Sequence, residues 1–161
     1  MNVADILRKE ALDKGANCKI ITEWDNPDND TLIQKYIEGI DFCIDKDFPD
    51  NKFIKKYFDG DMQKHGVFVD EKIDLHNIPH VILNGKCRGV LKYDGYRFGK
   101  IYVRHKSKVI IEITDKAIVN VEIYDKASVV IKNKGEKNAA VYLYGGEIEC
   151  TSGVKVFDKT R

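Results

Sequence analysis

Ile111-Glu112-Ile113-Thr114-Asp115-Lys116-Ala117-Ile118-Val119-Asn120-Val121-Glu122-Ile123-Tyr124-Asp125-Lys126-Ala127-Ser128-Val129-Val130-Ile131 is the stretch that decides the fold. Asp115-Lys116-Ala117 returns ten residues later as Asp125-Lys126-Ala127, each followed by alternating apolar residues. Working outward in blocks of ten, one position holds Val81, Leu91, Ile101, Ile111, Val121, Ile131 and Val141. Two residues later stand Leu83, Tyr93, Val103, Ile113, Ile123, Asn133 and Leu143. Two residues earlier stand Gly89, Gly99, Val109, Val119, Val129 and Ala139, and a corner position is small at Cys87, Ser107, Ala117 and Ala127.

Alternation at period two puts these positions on one face of each strand, and an even repeat keeps them there strand after strand. Stacked copies bury Ile-on-Val columns that no single repeat buries alone. Asp suits the corners because its carboxylate satisfies local backbone amides, and Ala because it fits a tight bend. The expected fold class is α+β: a small helical region, then a β-solenoid of about 20 residues per coil with two strands in each coil. An antiparallel β-meander with ten-residue hairpins preserves the same alternation; Asn-Gly, the hairpin dipeptide, occurs only once between the strands, at Asn84-Gly85, and its absence from the other corners weighs against the meander. Phasing degrades at both ends, where terminal repeats must manage open sheet edges.

Upstream, the period is helical. Asn2 can cap a helix over 3–12, and Cys18, Ile20, Ile21 and Trp24 read as a further helical cluster. Asp30 or Thr31 can cap a helix over 31–46, with Leu32, Ile33, Tyr36, Ile37, Ile40, Cys43 and Ile44 on one face. Asp50 can cap another, carrying Phe53, Ile54, Tyr57 and Phe58 and stopping at Gly60. The change of period after Gly66 divides a helical head, 1–66, from a repeat domain, 67–161.

Composition bounds the function. The 161 residues carry a formal net charge of +1, so no global basic field points to nucleic acid. No apolar run is long enough to span a membrane, and the charged N-terminus lacks the features of a signal peptide, so a cytoplasmic protein is expected, or a virion-associated one. Cys18, Cys43, Cys87 and Cys150 are far apart with no CxxC pair, which suits reduced, buried thiols. His76 and His80 are four apart, but Pro79 between them excludes a regular zinc-binding helix. Gly145-Gly146 is no phosphate loop, and Ser107 and Ser128 lack nucleophile-elbow glycines. The sequence therefore predicts neither an enzyme nor a cofactor or metal site.

Two surfaces remain as candidates for ligand or partner contact. Lys86, Lys106 and Lys126 share a phase twenty residues apart and should stack along one corner as a basic ridge, joined by Arg88, Arg104 and Lys108. Tyr102, Tyr124, Tyr142 and Tyr144 are expected to face outward nearby. The second surface is an outward apolar column, Val90, Ile110 and Val130, which is either covered by the helices or is an interface.

The two Asp-Lys-Ala repeats, Asp115 to Val119 and Asp125 to Val129, resemble the decapeptide repeats of bacterial β-solenoid proteins and, more loosely, the polymer-forming bactofilins. The stretch Tyr36-Ile37-Glu38-Gly39-Ile40-Asp41-Phe42-Cys43-Ile44 resembles uncharacterised proteins of gut-bacterial phages and mobile elements. The repeat resemblance covers about half of the chain and implies a fold more than a mechanism. It leads to the expectation of a non-catalytic, self-associating structural or interaction protein encoded by a phage or mobile element. The alternative is a module that binds an anionic ligand, nucleic acid or nucleotide, through the lysine ridge.

Overall fold

The computed structural model describes residues 2–16 and 27–160. The cluster Cys18, Ile20, Ile21 and Trp24 lies outside the described residues. The chain divides into two compact units, Met1–His65 and Gly66–Arg161.

In the first unit, α1 (Val3–Asp13) starts where Asn2 Oδ1 accepts from the Asp5 N–H at 2.9 Å, and it buries Ala4, Leu7 and Ala11. The expected long helix is instead two, α2 (Asn29–Glu38) and α3 (Ile40–Lys46), broken at Gly39, the residue with the least helical backbone preference in the stretch. Asp28 caps α2 through the Thr31 N–H at 2.8 Å. Asp30 is thereby inside the first turn, where it meets Lys64 Nζ and His65 Nε2, each at 3.0 Å. Those two partners, Lys64 foremost, hold its carboxyl below the ordinary range. Asp50 caps α4 (Asn51–Phe58), which buries Ile54 and Phe58. No helix among the described residues is long and apolar enough to cross a membrane.

The second unit is a parallel β-solenoid. Strands β1 (Val67–Val69), β3 (His80–Asn84), β5 (Phe98–Val103), β7 (Ile118–Ile123), β9 (Ala139–Leu143) and β11 (Val154–Asp158) form one sheet in that order. Strands β2 (Lys72–His76), β4 (Arg88–Tyr93), β6 (Lys108–Ile113), β8 (Ser128–Asn133) and β10 (Glu147–Cys150) form the other. Every pairing is parallel and joins strands two apart in the chain, which rules out the meander.

The central pairings hold a register of twenty residues, as in Val81↔Ile101, Ile101↔Val121 and Val121↔Val141. Leu91, Ile111 and Ile131 face them from the other sheet, and all are fully buried. The end coils are shorter. Val67 pairs with Ile82 and Ala139 with Val154, fifteen residues in each case, which is why the beat loses phase there.

Two exceptions in the columns have local causes. Gly99 stands in an inward column because a Cβ there would come within 2.5 Å of the Tyr93 ring. Tyr93 fills that space and donates its hydroxyl to Ile78 O at 2.7 Å; burial pushes its phenol well above the ordinary range. Asn133 continues the column of Tyr93 and Ile113, yet its amide is used. Nδ2 donates to Lys137 O at 2.9 Å and Gly153 O at 2.8 Å, and Oδ1 accepts from the Gly135 N–H at 3.0 Å.

Candidate functional site

The corners differ from the strands in what they demand of the chain. His105, Asp115 and Asp125 adopt left-handed backbone, with φ of 57°, 56° and 60°, and Gly85 and Gly95 do the same at 69° and 59°. Each left-handed side chain then reaches back to the coil before it. Asp125 Oδ2 accepts from the His105 N–H at 3.0 Å, His105 Nδ1 from the Gly85 N–H at 2.9 Å, and Asp115 Oδ2 from the Gly95 N–H at 2.9 Å. The expected local satisfaction of amides is therefore replaced by a ladder between coils. Asp and Asn tolerate this backbone better than other side chains, and their short acceptors span one coil rise of about 4.8 Å.

This ladder fixes the lysine corner. Lys106 N donates to Gly85 O and Lys126 N to His105 O, each at 2.9 Å, so Lys86, Lys106 and Lys126 stand one coil apart, all exposed. Arg88 Nη1 reaches across to Lys106 O at 2.7 Å, and Lys108 is directly opposite Arg88 in register. Segments 85–88 and 104–108 contain no acidic residue. Among the described residues none of Lys86, Arg88, Lys106, Lys108 or Lys126 forms an ion pair. Arg104 departs from the expected ridge: it is buried, and its Nη1 donates to Asn84 Oδ1 at 2.7 Å.

The tyrosines divide. Tyr124 follows β7 and Tyr144 follows β9, in one column beside the lysine corner, and their rings stack at 4.9 Å between centroids and 3° between planes. Tyr144 is 44% exposed. Tyr102 and Tyr142 belong to a different column, further from the corner, with Lys100 Nζ 5.2 Å and 5.7 Å from their ring centroids, and Tyr102, expected to be an exposed contact, is buried. That lysine pairs with Glu122 Oε2 at 2.7 Å, while Tyr124 OH donates to Glu122 Oε1 at 2.7 Å. The Lys100–Glu122 pair escapes sequence reading because its partners sit one coil apart and off register.

The apolar column is real and narrow. Val90, Ile110 and Val130 stand in register on the outer face of the second sheet, half-buried, with Asp74 at one end and Glu149 at the other. Lys92, Glu112 and Lys132 flank it in register, and long stems beside a stripe one residue wide account for partial cover.

The histidines are dispersed. His76 Nε2 meets Asp94 Oδ2 at 2.7 Å, and His80 lies near the Tyr102 ring, 5.7 Å between centroids. No group of three His, Cys, Asp or Glu among the described residues is arranged to hold a metal ion.

Open sheet edges, expected at the ends of the repeat, form a further surface. The outer edges of β10 and β11 have no neighbouring strand among the described residues. Val156 continues the column of Val141, and Cys150 that of Ile131, so both point the way core residues point. Yet Val156 is 41% exposed, Phe157 beside it is 42% exposed, and Cys150 is an exposed thiol where a buried one was expected. No family model, curated protein or solved structure gives a significant match to this chain.

Proposed function

We propose that the protein is a non-catalytic structural and interaction protein that self-associates through the edge of β11. The observation that carries this reading is the uncovered core at that end, where Val156 lies on an inward column and is still 41% exposed. An open strand edge offers unpaired backbone donors and acceptors, and an apolar column ending in solvent gains about 25 cal/mol per Å² when covered.

A second copy of the same edge fits it. Antiparallel pairing of two β11 strands about Val156 sets Val156 on its twin, Lys155 opposite Phe157 and Val154 opposite Asp158, so no like charges face each other. The edge of β10 is less suited, because Glu147 and Glu149 would meet their own copies. The resemblance to polymer-forming solenoid proteins supports the same reading, and origin on a phage or mobile element belongs to it.

Light scattering across a concentration series tests the proposal. Mass should rise to that of the dimer, and Val156→Lys should hold the protein at monomer mass with an unchanged circular dichroism spectrum. A wild-type monomer at high concentration overturns the proposal.

A further inference from the structure

We propose that the corner carrying Lys86, Arg88, Lys106 and Lys108 binds single-stranded nucleic acid, with phosphates on the cations and a base on Tyr144. Four cations stand on two successive coils, separated by about 4.8 Å along the solenoid. Neither corner segment contains an acid, and among the described residues none of the four cations forms an ion pair; the carboxylates of Asp70, on the Lys86 N–H at 2.7 Å, and Asp125, on the His105 N–H at 3.0 Å, are engaged with backbone and offset the repulsion only in part. Cations held this closely on a rigid backbone favour a ligand that places more than one negative charge among them. The site is bounded. Asp70 and Glu71 occupy the preceding coil's corner, and Asp125 and Glu147 the following ones. That leaves room for a few phosphates, not for a long electrostatic groove.

The tyrosine stack selects the class of ligand. Tyr124 and Tyr144 lie parallel in the column that continues past the corner, one and two coils beyond Lys106, so Tyr144 is about 10 Å along the stack from that lysine's coil, past the Asp125 corner, and it is 44% exposed. Aromatic rings beside a basic track are how proteins hold unpaired bases without reading sequence. A duplex turns its bases inward and cannot use such a platform while its phosphates occupy the corner. An acidic peptide satisfies the cations but brings no flat ring to the tyrosines. Burial of Arg104 removes one cation from the surface, and Lys126 follows Asp125 on the next coil, which leaves Lys86, Arg88, Lys106 and Lys108 as the contact set.

The experiment is fluorescence anisotropy with a labelled oligothymidylate at 50 mM and 200 mM salt. Four phosphate contacts give a salt slope of about −2.8, so affinity should fall about fifty-fold over that range. The double variant Lys86→Ala with Lys106→Ala should bind more weakly and lose only about sevenfold over the same range. Both lysines are exposed, so circular dichroism should not change. Tyr144→Ala should weaken binding about tenfold at either salt and leave the slope alone, while Tyr144→Phe keeps the affinity. Absence of binding at 50 mM salt, or an unchanged slope in the lysine variant, overturns the site. A duplex or polyglutamate bound as tightly as oligothymidylate, or a Tyr144→Ala variant bound like wild type, overturns the single-stranded assignment.

Discussion

Replacing Asp125 separates the two things that its position requires. The backbone there is left-handed, with φ of 60°, and the carboxylate accepts the His105 N–H of the coil before it at 3.0 Å. Ala at this position keeps the turn only by entering a conformation that costs about 1–2 kcal/mol, and it also loses a hydrogen bond worth about 0.5–1.5 kcal/mol. Because the corner is solvent-exposed, the lower half of the second range applies, so Asp125→Ala should cost about 2 kcal/mol. Asp125→Gly removes the strain but not the lost bond, and its freedom when unfolded adds to the cost, for about 1 kcal/mol. Asn keeps both the acceptor and the tolerance, so Asp125→Asn should cost less than about 0.5 kcal/mol. Urea denaturation followed by circular dichroism gives this ranking, and amide exchange at His105 reads the bond directly. Exchange should accelerate in the Ala and Gly variants and not in Asn. If Ala and Asn prove equal within error, or if His105 exchange is the same in all four proteins, the inter-coil ladder contributes nothing and the reasoning fails.

Three further outcomes follow from the interior. Ile111→Ala, at a fully buried position facing the opposite sheet, should cost about 3–4 kcal/mol in the same assay. Tyr93→Phe removes the bond to Ile78 O and should cost about 1 kcal/mol; in wild-type protein, ultraviolet titration should show this phenol ionising only as the fold opens, since burial raises it. His80 is held below its ordinary value by burial first and Lys100 second, so the unfolded chain takes up a proton before the folded one does. Stability should therefore be full above about pH 6.5 and fall as the pH drops below it, and His80→Gln should flatten that decline between pH 7 and pH 5.

The interior was legible in the sequence because period and phase are properties of one strand. Val81, Ile101, Val121 and Val141 could be placed in a column before any pairing was known, and the even repeat kept them on one face. Asn2 and Asp50 were readable as caps for the same reason: each acts on an amide three residues away. Interactions that cross from one coil to another were not readable. Asp115 and Asp125 were correctly placed at corners, but the amides they accept lie twenty residues upstream. Arg104 shares the ridge's composition, yet it is buried and donates to Asn84 one coil away. Val156 could not be recognised as exposed core, because the last coil's fifteen-residue register breaks the beat that would have revealed its column. At α2 the error was of a different kind. Asp28, Asp30 and Thr31 are all competent caps, and only the Asp28 carboxylate lies three residues before an amide that it meets.

The two proposed surfaces are linked by the geometry of the stack, and that link is testable. Lys106 and Lys108 lie on the coil of β5 and β6, three coil rises from β11. Pairing two β11 edges would then set the nearest lysine corners about 35 Å apart on a common stack. A strand long enough to reach both corners would bind the second site from a local concentration near the millimolar range, whereas a short strand would meet each corner independently. Wild-type protein should therefore prefer the long oligothymidylate by about a hundredfold over the short one at concentrations where light scattering shows dimer. Val156→Lys leaves every cation of the corner in place and should abolish that preference without weakening the short strand. A length preference that survives in the monomeric variant shows that one corner accommodates the whole strand and that the edge of β11 has no part in binding. Equal affinity for both lengths in the dimer shows that the two corners do not lie on one track, which excludes the antiparallel β11 pairing even where self-association itself is observed.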